Sequence, residues 1–379
     1  MSALLCESLF TFYAFLILST VLWIGSHRSL RKLFKLNESE SKEPSEDLAL
    51  TLILGLSILG AAGYIVFWIY LINASAGRVA SYATLAFTLY RLAHLKTFLS
   101  QKPSIYRYLM VLFVATGLFY LAALYMLSPS HYLSFPESYR FRDLPGDNEL
   151  QKLLGSMLRK GSPIHPFYGD WLVSDRPPLL TGLYLMFSWD NQPLFYRAIA
   201  VVSQLFWLLG LFAFSTVWGT SKHAFRFIIL GLVLNGFVML NSVYTWPKML
   251  AAGYFLLSLA AFRLWLAKRK GIAFAVLCGS CLGLASLSHA GVVFSMPVFL
   301  AVGIDALKNR DWTWTDSWRR LGLGSIALVV SLALFLISWK FFQVEIDPPG
   351  DRLLKWHLAG QENFTFDSLS MVIKRLMNR

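Results

Sequence analysis

The chain has 379 residues, of which 56% are hydrophobic, 16% aromatic and only 15% charged. A water-soluble globule carries roughly 25% charged residues, and the apolar residues here come in runs of about 20, the length of a helix that crosses a bilayer. A soluble enzyme, a disordered chain and a disulfide scaffold are excluded, and the net charge of +13 belongs to short basic loops beside apolar runs rather than to a nucleic-acid footprint.

The expected fold class is therefore an all-α integral membrane protein with about ten transmembrane helices. The first apolar run, 8–25, is too long for a signal-peptide core. It has no basic stretch before it and no small-residue cleavage site after it, so it reads as a retained span. The stretch NESESKEPSED at 37–47 is a polar linker with too few apolar residues to fold. Spans at 48–73, 79–95 and 108–128 follow, the second of these carrying Arg91 and His94 in its last turns. After a long loop over 129–196, further spans are expected at 197–218, 227–243, 248–266, 271–288, 291–306 and 321–342. Cys278 and Cys281 form a CxxC inside an apolar small-residue segment, VLCGSCLGLASL. No second CxxC or His pair lies nearby to complete a zinc site, so close helix packing explains the segment better.

Orientation follows from the basic residues. Loops 26–47, 91–107, 219–226, 263–270 and 307–320 hold 19 of the 34 Lys and Arg and are assigned to the cytoplasm. The N-terminus, 129–196 and 343–379 then lie outside. A crossing by the apolar segment 177–189 (PPLLTGLYLMFSW) would invert every later loop, so it is expected to be interfacial or re-entrant. Within the same loop, Leu150, Leu153, Leu154, Met157 and Leu158 make one apolar helical stripe, with Gln151, Lys152, Arg159 and Lys160 elsewhere around it. Such a helix is expected to lie on the membrane surface.

Few ionisable residues fall inside the spans, which argues against an ion-coupled transporter. The polar groups concentrate on the outer face: Asp143, Asp147, Glu149, Asp170, Asp175, Arg176, Lys248, His289 and Arg352. Carboxylates and cations framed by amphipathic helices suit a reaction on a lipid-borne group at the membrane surface. Asp147 follows a Pro-Gly turn and precedes the leucine-striped helix, so it reads equally as a helix N-cap. His289 reads as a hydrogen-bonded structural group, and Trp171, Trp246 and Tyr168 as interfacial belt residues.

The order of these pieces resembles GT-C superfamily membrane glycosyltransferases, of the kind that includes protein mannosyltransferases and aminoarabinose transferases. A spanning helix leads to an outer loop with an acidic motif and amphipathic helix (GDNELQKLLGSMLRKGSPIHPFYGDW). A PPL element (DRPPLLTGLYLMF) and a helix entered through an arginine (FYRAIAVVSQLFWLLGLFAF) come next. NSVYTWPKMLAAGYF, GSCLGLASLSHAGVVFSMPVFL and LFLISWKFFQVEIDPPGDR resemble later helices of the family, over roughly 108–360. The resemblance implies three parts: extra transmembrane helices in 1–107, a GT-C-like core over 108–342 and an outer C-terminal segment 343–379. It departs from the family where Asp147-Asn148-Glu149 replaces two adjacent acids. Lys248 and His289 stand where members often carry Asp and Lys. The chain also stops soon after its last span, where members often continue, so a short version or a fragment is expected.

The activity implied is inverting transfer of a sugar from a polyprenyl-phosphate carrier to a lipid, glycan or protein acceptor, in a bacterial inner membrane with the site on the periplasmic face. Asp147 would be the general base and Glu149 a group orienting the acceptor. Arg176, Lys248 and Arg352 would hold the donor phosphate. Membrane lipids are implied partners and nucleic acid is not. One Asp and a nearby Glu do not define a metal site, so a divalent cation stays an open reading. A lipid or sugar-lipid transporter, and a non-catalytic membrane subunit of the same architecture, are the alternatives.

Overall fold

A computed structural model of the chain describes residues 2–34, 43–126, 146–169, 171–267, 271–308, 314–348 and 350. Among them the protein is all-helical, with one isolated bridge, Tyr168 to Trp171, and no strand. The helices in chain order are α1 (Ser2–Ser26), α2 (Arg28–Leu33), α3 (Pro44–Ile72), α4 (Ala74–Ala93), α5 (Leu95–Ser100), α6 (Ser104–Met126), α7 (Leu150–Lys160), α8 (Leu179–Phe187), α9 (Pro193–Gln204), α10 (Phe206–Trp218), α11 (Lys222–Val233), α12 (Gly236–Val243), α13 (Lys248–Ala267), α14 (Ile272–Ser288), α15 (Pro297–Lys308) and α16 (Trp314–Phe341).

Six helical stretches among these residues are long and apolar enough to cross a membrane: 4–26, 44–72, 104–125, 193–218, 248–266 and 321–346. The bent pair α11–α12 makes a seventh when taken together. It turns by 65° where Asn235 caps the second helix with its side chain, accepting from the Phe237 and Val238 N–H groups. Helix α4 and the shorter apolar helices at 272–288 and 290–305 do not meet that length-and-apolarity criterion.

Side-chain bonds mark the two ends of the bundle. At one end Arg31, only 4% exposed, donates from Nε to the Gly25 carbonyl and from Nη2 to Thr51 Oγ1 at 2.8 Å, and pairs with Asp47. Tyr106 donates to the other Asp47 oxygen, which ties α1, α2, α3 and α6 together. Arg91 lies over the Trp23 ring, and Arg263 pairs with Asp305 over Trp218. At the other end Arg78 donates to the Arg159 carbonyl, Arg197 to Tyr125 Oη, and Tyr196 to the Asn148 carbonyl. Each of these bonds joins residues that the charge count places on the same side.

Helix α8 is buried along all nine residues. It reaches into the bundle because two glycines let backbones touch: a Cβ on Gly182 would lie 2.2 Å from the Gly63 carbonyl of α3. Its C-terminal carbonyl of Leu185 accepts from Ser81 Oγ of α4 and from Arg159 of α7, groups that satisfy an otherwise orphan helix end.

Helix α7 buries only part of the expected stripe, and other residues with it. Its buried residues are Leu150, Gln151, Leu154, Gly155, Leu158 and Arg159, while Leu153 and Met157 are half-buried. The helix is rotated so that Gly155 receives the Tyr184 ring of α8 and two polar side chains turn inward. The helix packs against α8 with Leu150, Leu154 and Leu158 of the stripe buried, and Gln151 and Arg159, expected elsewhere around it, share that buried face.

Candidate functional site

At the second end, two short turns and two helix starts bring the polar residues together. The first turn, Gly146–Glu149, is 3₁₀ and leads directly into α7. It carries the backbone of Asp147, whose side chain lies outside the described residues, as do Asp143, Asp170 and Arg352. Asn148 is 6% exposed and its carbonyl accepts from Tyr196 Oη at 3.1 Å. Glu149 pairs with Lys152 on its own helix, an i,i+3 contact across a partly exposed surface.

The second turn, Val173–Asp175, is closed by Asp175, whose Oδ2 accepts from the Leu172 N–H at 2.9 Å. Asp347, fully buried at the end of α16, accepts from the Ser174 N–H, and His165 Nε2 lies 3.3 Å from its other oxygen. This turn delivers Arg176, which sits over the Trp171 ring at 4.9 Å, immediately before Pro177 and Pro178 begin the buried helix. Pro178 is the N-cap of that helix, its carbonyl accepting from the Gly182 N–H at 2.9 Å.

Lys248 opens α13, with its ammonium 3.6 Å from the centre of the Trp246 ring. The preceding Thr245 is buried at φ 63°, a conformation that costs a β-branched residue about 1–3 kcal/mol. Its side chain lies near Tyr196, whose hydroxyl reaches Asn148. Gln204 Oε1 accepts from the Leu250 N–H at 3.0 Å and so satisfies a first-turn donor of α13.

His289 ends α14 and caps the following 3₁₀ turn, its Nδ1 accepting from the Gly291 N–H at 3.0 Å. Burial, then the charges of Lys248 and Arg176, push its pKa down to about 4. Two cations from turns 72 residues apart therefore act on one imidazole. The ring is neutral at physiological pH and serves as a hydrogen-bonded structural group.

Of the residues singled out by sequence, Arg176, Lys248 and His289 are brought together. Glu149 pairs with Lys152, and its neighbour Asn148 is bonded to Tyr196. Three contributors were not singled out: Tyr196, Thr245 and Asp347. Among the described residues no group of three His, Cys, Asp or Glu could hold a metal ion, and Cys6, Cys278 and Cys281 are free, buried thiols. Beside the Ser174–Asp347 junction, a mainly apolar cavity of about 590 Å³ is lined by Trp68, Ile72, Leu158, Ile164, Phe341 and Ile346. No protein-family model matches the chain, and no curated protein or solved structure matches it either.

Proposed function

We propose that this chain is a multi-pass membrane glycosyltransferase of GT-C-like architecture, with ten crossings. It would move a sugar from a polyprenyl-phosphate carrier to an acceptor hydroxyl at the outer, periplasmic face. The observation that carries the reading is the convergence of Arg176 and Lys248, each set on a tryptophan face, at the bundle end that also holds the Asp147 turn.

In the proposed reaction Asp147 accepts the proton of the acceptor hydroxyl, whose oxygen bonds to the anomeric carbon. The bond from that carbon to the phosphate oxygen breaks, and its electron pair leaves with the phosphate. Arg176, Lys248 and Arg352 stabilise that charge, an effect worth most where water is scarce. The apolar cavity offers room for the isoprenoid chain beside the charged end. The six long apolar helices and the bent pair α11–α12 support a multi-pass fold. A transporter of sugar-lipids is the second class to separate.

The test is transfer of label from a lipid-phosphate-linked sugar in membranes that contain the protein. Asp147→Asn should abolish transfer, and Arg176→Ala should lower it about 100-fold or more, the usual loss when one charge-stabilising donor is removed. Undiminished transfer by Asp147→Asn would sink the base assignment. Passage of labelled carrier across vesicles with no covalent transfer would replace the enzyme by a transporter.

A further inference from the structure

The helix that follows the Asp147 turn buries a side chain that packing does not explain. Gln151 is 1% exposed, and among the described residues neither its Oε1 nor its Nε2 has a hydrogen-bond partner. A buried amide left unpaired costs about 1–3 kcal/mol per group, and a leucine of similar size would avoid that cost. The surrounding backbone is fully used: the Gln151 carbonyl accepts from Thr181 Oγ1 at 3.3 Å, so α7 is pinned to α8 independently of the amide.

Position gives the amide its meaning. Gln151 follows Asp147 by four positions, one helical turn. Its neighbour Thr181 is five residues beyond Arg176. Asn148, on the turn before it, accepts from Tyr196 with its carbonyl, and Tyr196 lies near Thr245. Residue 151 is therefore one turn from Asp147 along the chain and touches α8, the helix that follows Arg176.

We propose that Gln151 is a binding residue for a polyhydroxylated group, donating from Nε2 to one sugar oxygen and accepting at Oε1 from a neighbouring hydroxyl. A carboxamide offers one donor side and one acceptor side at fixed spacing, which matches hydroxyls on adjacent carbons. A phosphate, which has only acceptors at the ionised oxygens, would leave Oε1 unpaired. This assignment rests on the glycosyl-transfer reading and names what the site recognises: the sugar ring rather than the phosphate.

The experiment measures binding of C15 isoprenyl phosphate, bare or carrying one glucose, mannose, galactose, N-acetylglucosamine or arabinose, to the purified full chain in detergent. The wild type should bind at least one sugar-bearing lipid about tenfold or more tighter than the bare one. Gln151→Leu should bind the bare lipid as the wild type does, lose the sugar advantage, and melt at the same or a higher temperature, because it removes two unpaired groups. Gln151→Leu that keeps the sugar advantage overturns the assignment and leaves glycosyl transfer standing. So does a variant that melts several degrees lower, because the amide is then a structural group. A wild type with no preference for any sugar-bearing lipid over the bare one overturns both.

Discussion

At the scale of single residues, the cation pair has a measurable signature in His289. Its folded pKa of about 4 lies below the unfolded value near 6.5. Between those values the unfolded chain binds a proton that the folded chain does not, so stability falls as pH drops from 6.5 to 4 and is level above 6.5. The expected loss is at most about 3 kcal/mol over that window. Unfolding in detergent at pH 4 to 7 should show it, and His289→Gln should flatten the curve. An identical slope in both proteins would show that the imidazole does not feel the pair. An anion bound between Lys248 and Arg176 should draw the His289 pKa upward, which NMR titration with and without inorganic phosphate would detect.

The same residues show why part of the site could be read from the sequence and part could not. Arg176 before Pro-Pro and Lys248 after Trp-Pro stand at helix starts beside apolar runs, so their position at a bundle end follows from pattern alone. Tyr196 lies in an apolar helix and looks like core until its hydroxyl is seen bonded to Asn148. Thr245 adopts a left-handed backbone that no residue pattern announces, since threonine ordinarily avoids it. Asp347 sits after the last helix in a Pro-rich stretch, and its burial depends on a Ser174 N–H contributed from 173 residues earlier.

Elements add a second kind of information. The apolar segment 177–189 was too short for a comfortable crossing, and α8 is a nine-residue helix packed inside the bundle. The leucine stripe of α7 foretold the helix and the buried Leu150, Leu154 and Leu158, but not that Gln151, Gly155 and Arg159 share that face, because hydrophobic periodicity carries no record of the hole at Gly155 or of the carbonyl that Arg159 reaches on α8. Packing across the Gly63–Gly182 contact sets the depth of α8. Gly182→Val would drive a side chain into the Gly63 carbonyl, and because backbone cannot yield as a flexible side chain can, α8 should be expelled. We expect a loss of about 3 kcal/mol or more, in the range of severe core overpacking. Gly231→Val, whose Cβ meets nothing within 4 Å, should leave the melting temperature unchanged. Equal melting of the two variants would show that the α3–α8 contact does not hold the element.

At the scale of the whole molecule, the question is how far the bundle ends correspond to membrane faces. Charge bias and contact geometry are independent arguments. The first counts Lys and Arg in loops; the second rests on bonds such as Arg31–Asp47–Tyr106 at one end and Arg78–Arg159 at the other. Each of these bonds joins residues that the charge count places on one side. The first end is locked by a buried guanidinium whose partners come from two other elements, α1 and α3. Arg31→Ala would strand Asp47 and remove bonds to Gly25 and Thr51, a change that costs about 3–5 kcal/mol when a buried pair is broken. Sidedness itself can be read by cysteine labelling in a background where Cys6, Cys278 and Cys281 are replaced by Ala. Single cysteines at Lys102, Thr220 and Lys308 should react from one side of sealed vesicles, and those at Asn73, Ser162 and Trp189 only from the other. Labelling of Trp189 together with Lys102 would mean that α8 crosses completely. Every later helix would then be inverted, and the Asp147 turn and Lys248 would stand on opposite faces, where no single reaction could use both.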